Sequence, residues 1–415
     1  MPRSFDVVLW GATGFTGALV AEYLARHYGV GRELRWALGG RSKAKLEKVR
    51  AGLEAVDPHA RELALLVGDG TDRASLDRLA VDASVVCSTV GPYALHGKEL
   101  VAACVEAGTD YCDLTGEPQF VRAMIDAHHE RAGATGARIV CCCGYDSIPS
   151  DLGTLMLQER AQAKHGARCV EVKHFAGEAK GGMSGGTAAS MVALMDEATR
   201  DPSVRRLLND PYALDPDRGE HGPDGHDQRG VRWDADLAQW TGPFLMAAIN
   251  TRVVRRTNAL LGYAWGRDFR YREAMSFGKG AKGWVRAAGV SAGTTLGTAV
   301  VAVGPVRRLL AARVLPAPGE GPSKAVRDSG FFVSRLVGTL PGEKGKLRGT
   351  VRGTSDPGYG ETAKMLSESA VCLAKDGDAI PKRGGVLTPG SCMGMRLVER
   401  LRDAGMTFDV ADGSE

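Results

Sequence analysis

A chain of 415 residues, 44% apolar and 25% charged, has the composition of a globular protein and is longer than one hydrophobic core ordinarily supports, so two domains, or one large domain with an inserted lobe, are expected. The net charge of +4 is spread along the chain and aromatic residues make up only 6%, which excludes a nucleic-acid-binding stripe and a base-stacking platform. Nine cysteines, an odd number, exclude a fully paired disulfide framework, and with no charged-then-apolar leader the chain is expected in the cytoplasm.

In chain order, strand-like runs fall at 5–10 (FDVVLW), 34–38 (LRWAL), 63–67 (LALLV), 83–88 (ASVVCS), 109–112 (TDYC) and 137–142 (ARIVCC), each followed by helical spacing. This βαβ series predicts an α/β fold with a Rossmann-type doubly wound parallel sheet and helices on both faces. Cys141, Cys142 and Cys143 are read as small apolar residues closing a buried strand, with a redox or metal role as the alternative.

Between the first strand and the first helix stand Gly11, Ala12, Thr13, Gly14, Phe15, Thr16 and Gly17. Gly11 permits the turn, Gly14 lets the backbone approach a pyrophosphate, and Gly17 lets the helix pack on the strand. Backbone N–H groups at that helix start would face the phosphates. The second strand ends in Leu38-Gly39-Gly40-Arg41-Ser42 without an acid. Arg41 and Ser42 are donors suited to a 2′-phosphate, so the expected cofactor is NADP rather than NAD. Asp69 is expected at the adenine edge, and Ser88, Thr89, Val90, Gly91 and Tyr93 beside the nicotinamide ribose.

From Asp151 the rhythm changes. A helical stretch (152–164), a strand (170–178), an Asp/Gly/Pro-rich loop or lid (210–236), a strand (268–277) and an alternating pair (331–339 and 346–353) joined by LPGEKG predict an α+β substrate lobe with an antiparallel sheet. Helical stretches at 360–375 and 391–404 are expected to return to the first domain. The expected division is 1–150, an NADP-binding domain; 151–357, a substrate lobe; and 358–415, returning helices. Residues 287–306 carry no charge and lie between Arg286 and Arg307-Arg308. A buried or cleft-lining helix is the first reading, with interfacial membrane contact and a true span as alternatives.

Basic clusters at Arg252, Arg255 and Arg256 and at 279–286 read as a solvated face or, alternatively, as a docking surface for an acidic carrier protein or anionic lipid. His174, the His128-His129 pair and the His221/His226 pair do not fall at ligand spacing, so no metal is expected. The phrase GYDSIP lacks the G-x-S-x-G elbow of a hydrolase.

Taken together, GATGFTG (11–17), GGRS (39–42), STVGPY (88–93), GTDYCDLTGE (108–117), CGYDSIPSDLG (143–153) and GVLTP (385–389) resemble the saccharopine dehydrogenase-like reductases. NTRVVRRTNAL (250–260), FRYREAMSFGKG (269–280) and GPS (321–323) resemble one subgroup, the actinobacterial trans-acting enoyl reductases known from mycobacterial phthiocerol and phenolphthiocerol dimycocerosate biosynthesis. The resemblance implies an NADPH-dependent oxidoreductase of lipid biosynthesis that reduces a hydrophobic acyl or polyketide chain held by an acyl carrier protein or polyketide synthase. Alternatives are a reductase of a C–N or C=O bond in a free small molecule, and a non-catalytic nucleotide-binding or membrane-associated protein. Homodimerisation and peripheral contact with the inner face of the membrane stay open.

Enoyl reduction needs a hydride at Cβ, a proton at Cα and stabilisation of the thioester oxygen. Tyr93, Lys98, Tyr145, Asp146 and Ser147 follow strands four and six, at the carboxyl edge where ligands bind in open α/β sheets. Tyr145 is the first candidate proton donor, with Tyr93 and Asp146 as further catalytic candidates. The competing readings are a packed loop aromatic for Tyr93 and a helix-capping turn before Pro149 for Asp146 and Ser147.

Overall fold

Strands β1 (Phe5–Trp10) and β2 (Trp36–Gly40) are buried at nearly every position, as parallel strands covered on both faces must be. With β3 (Ala64–Val67), β4 (Ala83–Ser88), β5 (Asp110–Asp113) and β6 (Arg138–Val140) they build a parallel sheet. Its crossovers contain α1 (Phe15–Tyr28), α2 (Lys43–Leu53), α3 (Arg73–Asp82), α4 (Tyr93–His96), α5 (Lys98–Ala107) and α6 (Pro118–Thr135). The computed structural model describes residues 3–181, 185–216, 222–302, 320–342 and 345–412.

Helix α7 (Ile148–His165) leads out of this sheet and is buried from Ile148 to Gln158. Two of its polar residues are paired: Asp151 accepts from Thr257 and from the Gly390 N–H at 2.7 Å, and Gln158 exchanges two bonds with the Cys169 backbone at 2.8 and 3.0 Å. Then come β7 (Glu171–Lys180), α8 (Gly185–Arg200), α9 (Pro202–Asn209), β8 (Arg232–Asp234), β9 (Gln239–Gly242), α10 (Ala247–Leu260), β10 (Arg270–Ser276), α11 (Gly280–Ala302), α12 (Lys324–Asp328), β11 (Phe331–Thr339) and β12 (Lys346–Gly353). The chain closes with α13 (Thr362–Lys375), β13 (Gly385–Leu387), α14 (Pro389–Cys392), α15 (Gly394–Asp403) and β14 (Thr407–Asp412).

The first sheet has the order β13-β6-β5-β4-β1-β2-β3 and the second β14-β12-β11-β7-β10-β9-β8. All pairings in the second are antiparallel except β7 with β10. One apolar core joins the sheets, running from Val7 and Leu9 through Leu152 and Leu366 to Phe332, Leu336 and Val351. The expected α/β architecture with a second lobe is therefore present. The strands β13 and β14, which add one edge to each sheet, were not expected in the helical C-terminal stretch.

Two expectations are corrected. The Arg252, Arg255 and Arg256 cluster is neither a solvated face nor a docking surface: all three side chains are buried on α10. Arg252 pairs with Asp227 and donates to the Asp210 and Leu208 carbonyls; Arg255 pairs with Asp224 at 2.8 Å and donates to Pro211 and Tyr271; Arg256 donates to Leu214 and Val386. The Asp/Pro-rich segment after Asn209 thus folds onto α10 by supplying acceptors to three guanidinium groups. Burial and the neighbouring Arg122 push the Arg256 guanidinium down to about 9.

The second correction concerns 287–306. Its described part lies on α11, where Ala287 faces inward but Ala292, Gly293 and Leu296 are exposed, so the helix is not buried along that face. Residues 303–306 lie outside the described residues, as do His221 and part of LPGEKG. No helix among the described residues is long and apolar enough to cross a membrane.

Candidate functional site

The strand order of the first sheet reverses between β1 and β4, and such switch points open a crevice at the carboxyl ends of the strands. Both glycine-bearing phrases flank it. At the end of β1, Gly11 has a φ of +91°, and a Cβ there would stand 2.6 Å from Val90 Cγ2 and 2.7 Å from Thr89 Oγ1. A Cβ on Gly17 would overlap the Gly11 carbonyl oxygen. Gly14 occupies the N-cap of α1, no side chain caps the first turn, and that turn holds no acid. The uncapped N–H groups, the close backbone approach and the helix dipole together fit a pyrophosphate.

Thr89 ties the second phrase to the first: its N–H donates to the Trp10 carbonyl at 3.0 Å and its hydroxyl to the Gly11 carbonyl at 3.1 Å. Ser88 is buried and accepts on its hydroxyl from the Val90 N–H at 3.4 Å. Tyr93 is buried, and its phenol donates to the Ser88 carbonyl at 3.1 Å. Glu117 accepts from the Tyr93 and Ala94 N–H groups, each at 2.9 Å, and so holds the turn that follows Gly91.

At the end of β2, Arg41 is exposed and Ser42 caps α2 by accepting from the Lys45 N–H at 3.4 Å. Ala12 and Thr13 lie across from this strand end, with the Ala12 N–H donating to the Gly39 carbonyl at 3.2 Å. Asp69 uses its carboxylate within its own turn, accepting from the Thr71 N–H and hydroxyl at 2.9 Å each. Those bonds, with Arg41 nearby, hold its carboxyl below the usual range.

Phe15 meets the second lobe: its ring lies edge-on to Tyr359 at 5.2 Å, with the Arg327 guanidinium 5.5 Å from its centroid. The Tyr359 hydroxyl shares a hydrogen bond with Thr187 of α8 at 2.8 Å. A Cβ on Gly91 would stand 3.4 Å from Ser190 Oγ, so α8 also reaches the β4 turn. Thr16 belongs to the first turn of α1, and Lys98 is exposed at the start of α5.

The loop after β6 carries the remaining candidates. Cys141, Cys142 and Cys143 are buried thiols, and Cys142 has a φ of 66°. That strained turn is held by Asp113, which accepts from the Cys142 N–H at 3.1 Å and the Thr115 N–H at 3.0 Å, while the Asp113 carbonyl accepts from the Cys143 N–H at 2.7 Å. Burial, opposed by these donors, pushes the Asp113 carboxyl up to about 6. Tyr145 follows, its N–H bonded to Thr362 at 3.1 Å and its ring edge-on to Phe332 at 4.8 Å. Burial also raises its phenol.

Asp146 stands differently from its neighbours. Its half-buried carboxylate makes no hydrogen bond or ion pair among the described residues, and burial alone pushes it up to about 6. A Cβ on Gly116 would meet Asp146 Oδ2 at 3.3 Å and Met246 Cε at 3.4 Å, so the carboxyl lies where the loops after β5 and β6 face the start of α10. Neither Asp146 nor Ser147 caps α7 with its side chain. Ser147 instead donates to Asn250 at 3.1 Å; Asn250 donates to Glu273 at 3.0 Å, and Tyr271 donates to Glu273 at 2.6 Å. Burial pushes the Glu273 carboxyl up to about 7. His174 is buried with neither ring nitrogen bonded, its Nδ1 is 3.9 Å from Glu273, and burial pushes it down to about 3.

Asp113, Glu117, Asn250, Glu273 and Tyr359 were not singled out in the sequence. The acids of TDYCDLTGE were visible, but their roles depend on backbone N–H groups contributed by other loops. Among the described residues no group of three or more His, Cys, Asp or Glu is placed to hold a metal.

A parallel sheet with a glycine loop at its switch point, facing a second mixed sheet, defines a dinucleotide-dependent oxidoreductase of two-lobed α/β type. Residues 7–140 match the family described as Saccharopine dehydrogenase NADP binding domain, which makes the cofactor NADP. The chain is 45% identical over 416 residues, covering 98% of it and 97% of the relative, to a Mycobacterium tuberculosis protein provisionally named a trans-acting enoyl reductase. It is 42% identical over 418 residues to the trans-acting enoyl reductase of Mycobacterium tuberculosis and 40% over 419 residues to that of Mycobacterium leprae, each alignment covering 98% of this chain and 97% of the relative. Apo saccharopine dehydrogenase (L-Glu forming) from Saccharomyces cerevisiae shares the fold, with a TM-score of 0.50 at 13% identity, covering 98% of this chain and 99% of that one. The chain belongs to the trans-acting enoyl reductase family.

Proposed function

We propose that this protein is an NADPH-dependent enoyl reductase acting in trans on hydrophobic acyl or polyketide chains carried by an acyl carrier protein or polyketide synthase. The names and full-length similarity of its relatives support the reaction class. The observation that carries the chemistry is the unpartnered Asp146 carboxyl beside Tyr145, on the edge where the first sheet faces the second.

In this reading the first-turn N–H groups of α1, with Gly11, Ala12, Thr13, Gly14, Phe15, Thr16 and Gly17, hold the pyrophosphate. Arg41 and Ser42 take the 2′-phosphate, Asp69 borders the adenine, and Ser88, Thr89, Val90, Gly91 and Tyr93 flank the nicotinamide ribose. When bound, NADPH supplies a hydride. The protein's own groups must provide a proton for Cα and donors for the thioester oxygen. Tyr145 and Asp146 are assigned these two tasks, because a phenol donates at any physiological pH and a carboxyl raised to about 6 keeps a protonated fraction near neutrality. Tyr93 is assigned a positioning role: its phenol is committed to the Ser88 carbonyl. The substrate lobe, 151–357, supplies the opposite wall.

The test is stopped-flow NADPH oxidation against enoyl thioesters on a carrier protein and on small thiols, with saccharopine-pathway substrates as controls. Turnover is expected with enoyl thioesters. Its absence with all of them, or turnover confined to the controls, overturns the proposal.

A further inference from the structure

Helix α11 breaks the usual rule for a surface helix. From Ala287 to its end at Ala302 it has no charged residue, yet as far as Gly297 only one side of it is covered. The covered side is identified by β9, where a Cβ on Gly242 would stand 3.4 Å from the Ala287 carbonyl and 3.5 Å from Ser291 Oγ. The opposite side presents Val285 at 60% exposure and Leu296 at 65%, with Gly289, Ala292 and Gly293 between them. A solvent-facing helix normally puts charged and polar residues there, and an exposed apolar stripe on a folded chain marks an interaction surface.

Two further features stand at the start of the same helix. Lys279, Lys282 and Arg286 are exposed and none makes an ion pair among the described residues. Trp284 is 49% exposed, and Trp233, 48% exposed, packs edge-on to Trp240 at 5.3 Å. Trp240 is held at this corner because its N–H donates to the Gly278 carbonyl at 3.0 Å, two residues before the helix begins. Half-exposed tryptophans, unpaired cations and an apolar stripe therefore occur along α11 and at the strand corner beside its start.

We infer that α11, with the tryptophan corner at its start, is a docking element for an anionic lipid bilayer surface. The tryptophans sit at headgroup depth, where an apolar ring with a polar N–H is most at home. Lys279, Lys282 and Arg286 meet lipid phosphates, and the Val285–Leu296 stripe enters the acyl boundary without spanning it. Charge complementarity selects the bilayer over a second copy of the chain, which would bring the same three cations and no counter-charge. The inference is independent of the proposed reaction and would place the enzyme where hydrophobic acyl products partition.

The full chain is sedimented with vesicles of phosphatidylglycerol and phosphatidylcholine, and with phosphatidylcholine alone, while tryptophan quenching by brominated lipid is recorded. Binding to the anionic vesicles, weakened by salt and accompanied by quenching, is expected. Leu296→Asp, and separately Lys279→Glu with Lys282→Glu and Arg286→Glu, should each lower partitioning about tenfold while leaving circular dichroism and NADPH binding unchanged. Failure to bind anionic vesicles, or equal binding by parent and both variants, overturns the inference. So does a dimer that Leu296→Asp dissociates, which would assign the stripe to a second copy, or capture by an acidic carrier protein lost with the three cations, which would assign it to that partner.

Discussion

Ser147, on the loop leaving the first sheet, donates its hydroxyl to Asn250 of α10 at 3.1 Å across 103 residues of sequence. Asn250 passes the contact on to Glu273 at 3.0 Å, so one amide joins the loop bearing Tyr145 and Asp146 to the second sheet. Asn250→Ala removes both bonds inside the protein. Leaving buried partners unsatisfied costs about 1–3 kcal/mol. Urea denaturation should show that loss, and turnover should fall while the Kd for NADPH stays unchanged.

Arg41→Ala tests the assignment of the 2′-phosphate. A charge-assisted bond is worth about 1.5–3 kcal/mol, which corresponds to roughly a ten- to hundredfold weaker Kd for NADPH. NADH affinity should change little. Fluorescence titration with both dinucleotides measures the difference, and equal losses would remove the phosphate from Arg41.

Gly17→Ala places a methyl group against the Gly11 carbonyl oxygen. The backbone of the loop must shift, at a cost of about 1–3 kcal/mol by analogy with overpacked cores. NADPH binding should be lost under conditions where circular dichroism still reports a folded chain. Retained affinity would show that this loop does not hold the pyrophosphate.

Asp146 should make stability and turnover depend on pH in the same direction. Its folded value, about 6, lies above the ordinary carboxyl value of 3.8, so the protonated form is the one favoured by folding. That stabilising contribution is present below the unfolded value and is lost as pH rises through the folded one. Thermal melts of the parent and Asp146→Asn should therefore diverge as pH rises from about 4 to about 7, the variant becoming relatively more stable, and should run parallel above that. The parent's turnover should decline as pH rises through about 6, and the variant should lack that titration.

Arg255 and Asp224 form a pair in which both side chains are only 4% exposed. Arg255→Met would leave the Asp224 carboxylate buried without its cation, a change that costs about 3–5 kcal/mol. Asp224 also accepts from the Tyr271 N–H at 3.0 Å, so the loss should loosen the β10 edge. Denaturation midpoints measure the first effect, and hydrogen exchange of the Tyr271 amide the second.

Much of the first sheet and its glycine loop was legible because the responsible interactions are local. Apolar runs alternating with helical spacing indicate covered parallel strands, and Gly11, Gly14 and Gly17 follow one another from the strand end into the first turn of α1. The strand ends were displaced by a residue or two, as with 109–112 against Asp110–Asp113, because pairing partners decide where a strand stops. The site's supporting groups were harder to read. Glu117 is an ordinary acid until the Tyr93 and Ala94 N–H groups are aimed at it.

By itself the sequence determined the βαβ series, the glycine turn and the acid-free end of β2, since backbone sterics, periodicity and charge are properties of neighbouring residues. Tertiary structure alone decided that Arg252, Arg255 and Arg256 are buried, that among the described residues Asp146 has no partner while Ser147 has one, and that α11 exposes Val285 and Leu296. Arg256 reaches an acceptor 130 residues away at Val386, a distance along the chain over which local pattern carries no information. Whether a guanidinium is solvated or buried depends on the free energy of the whole packed environment, and that environment exists only once the two sheets have met.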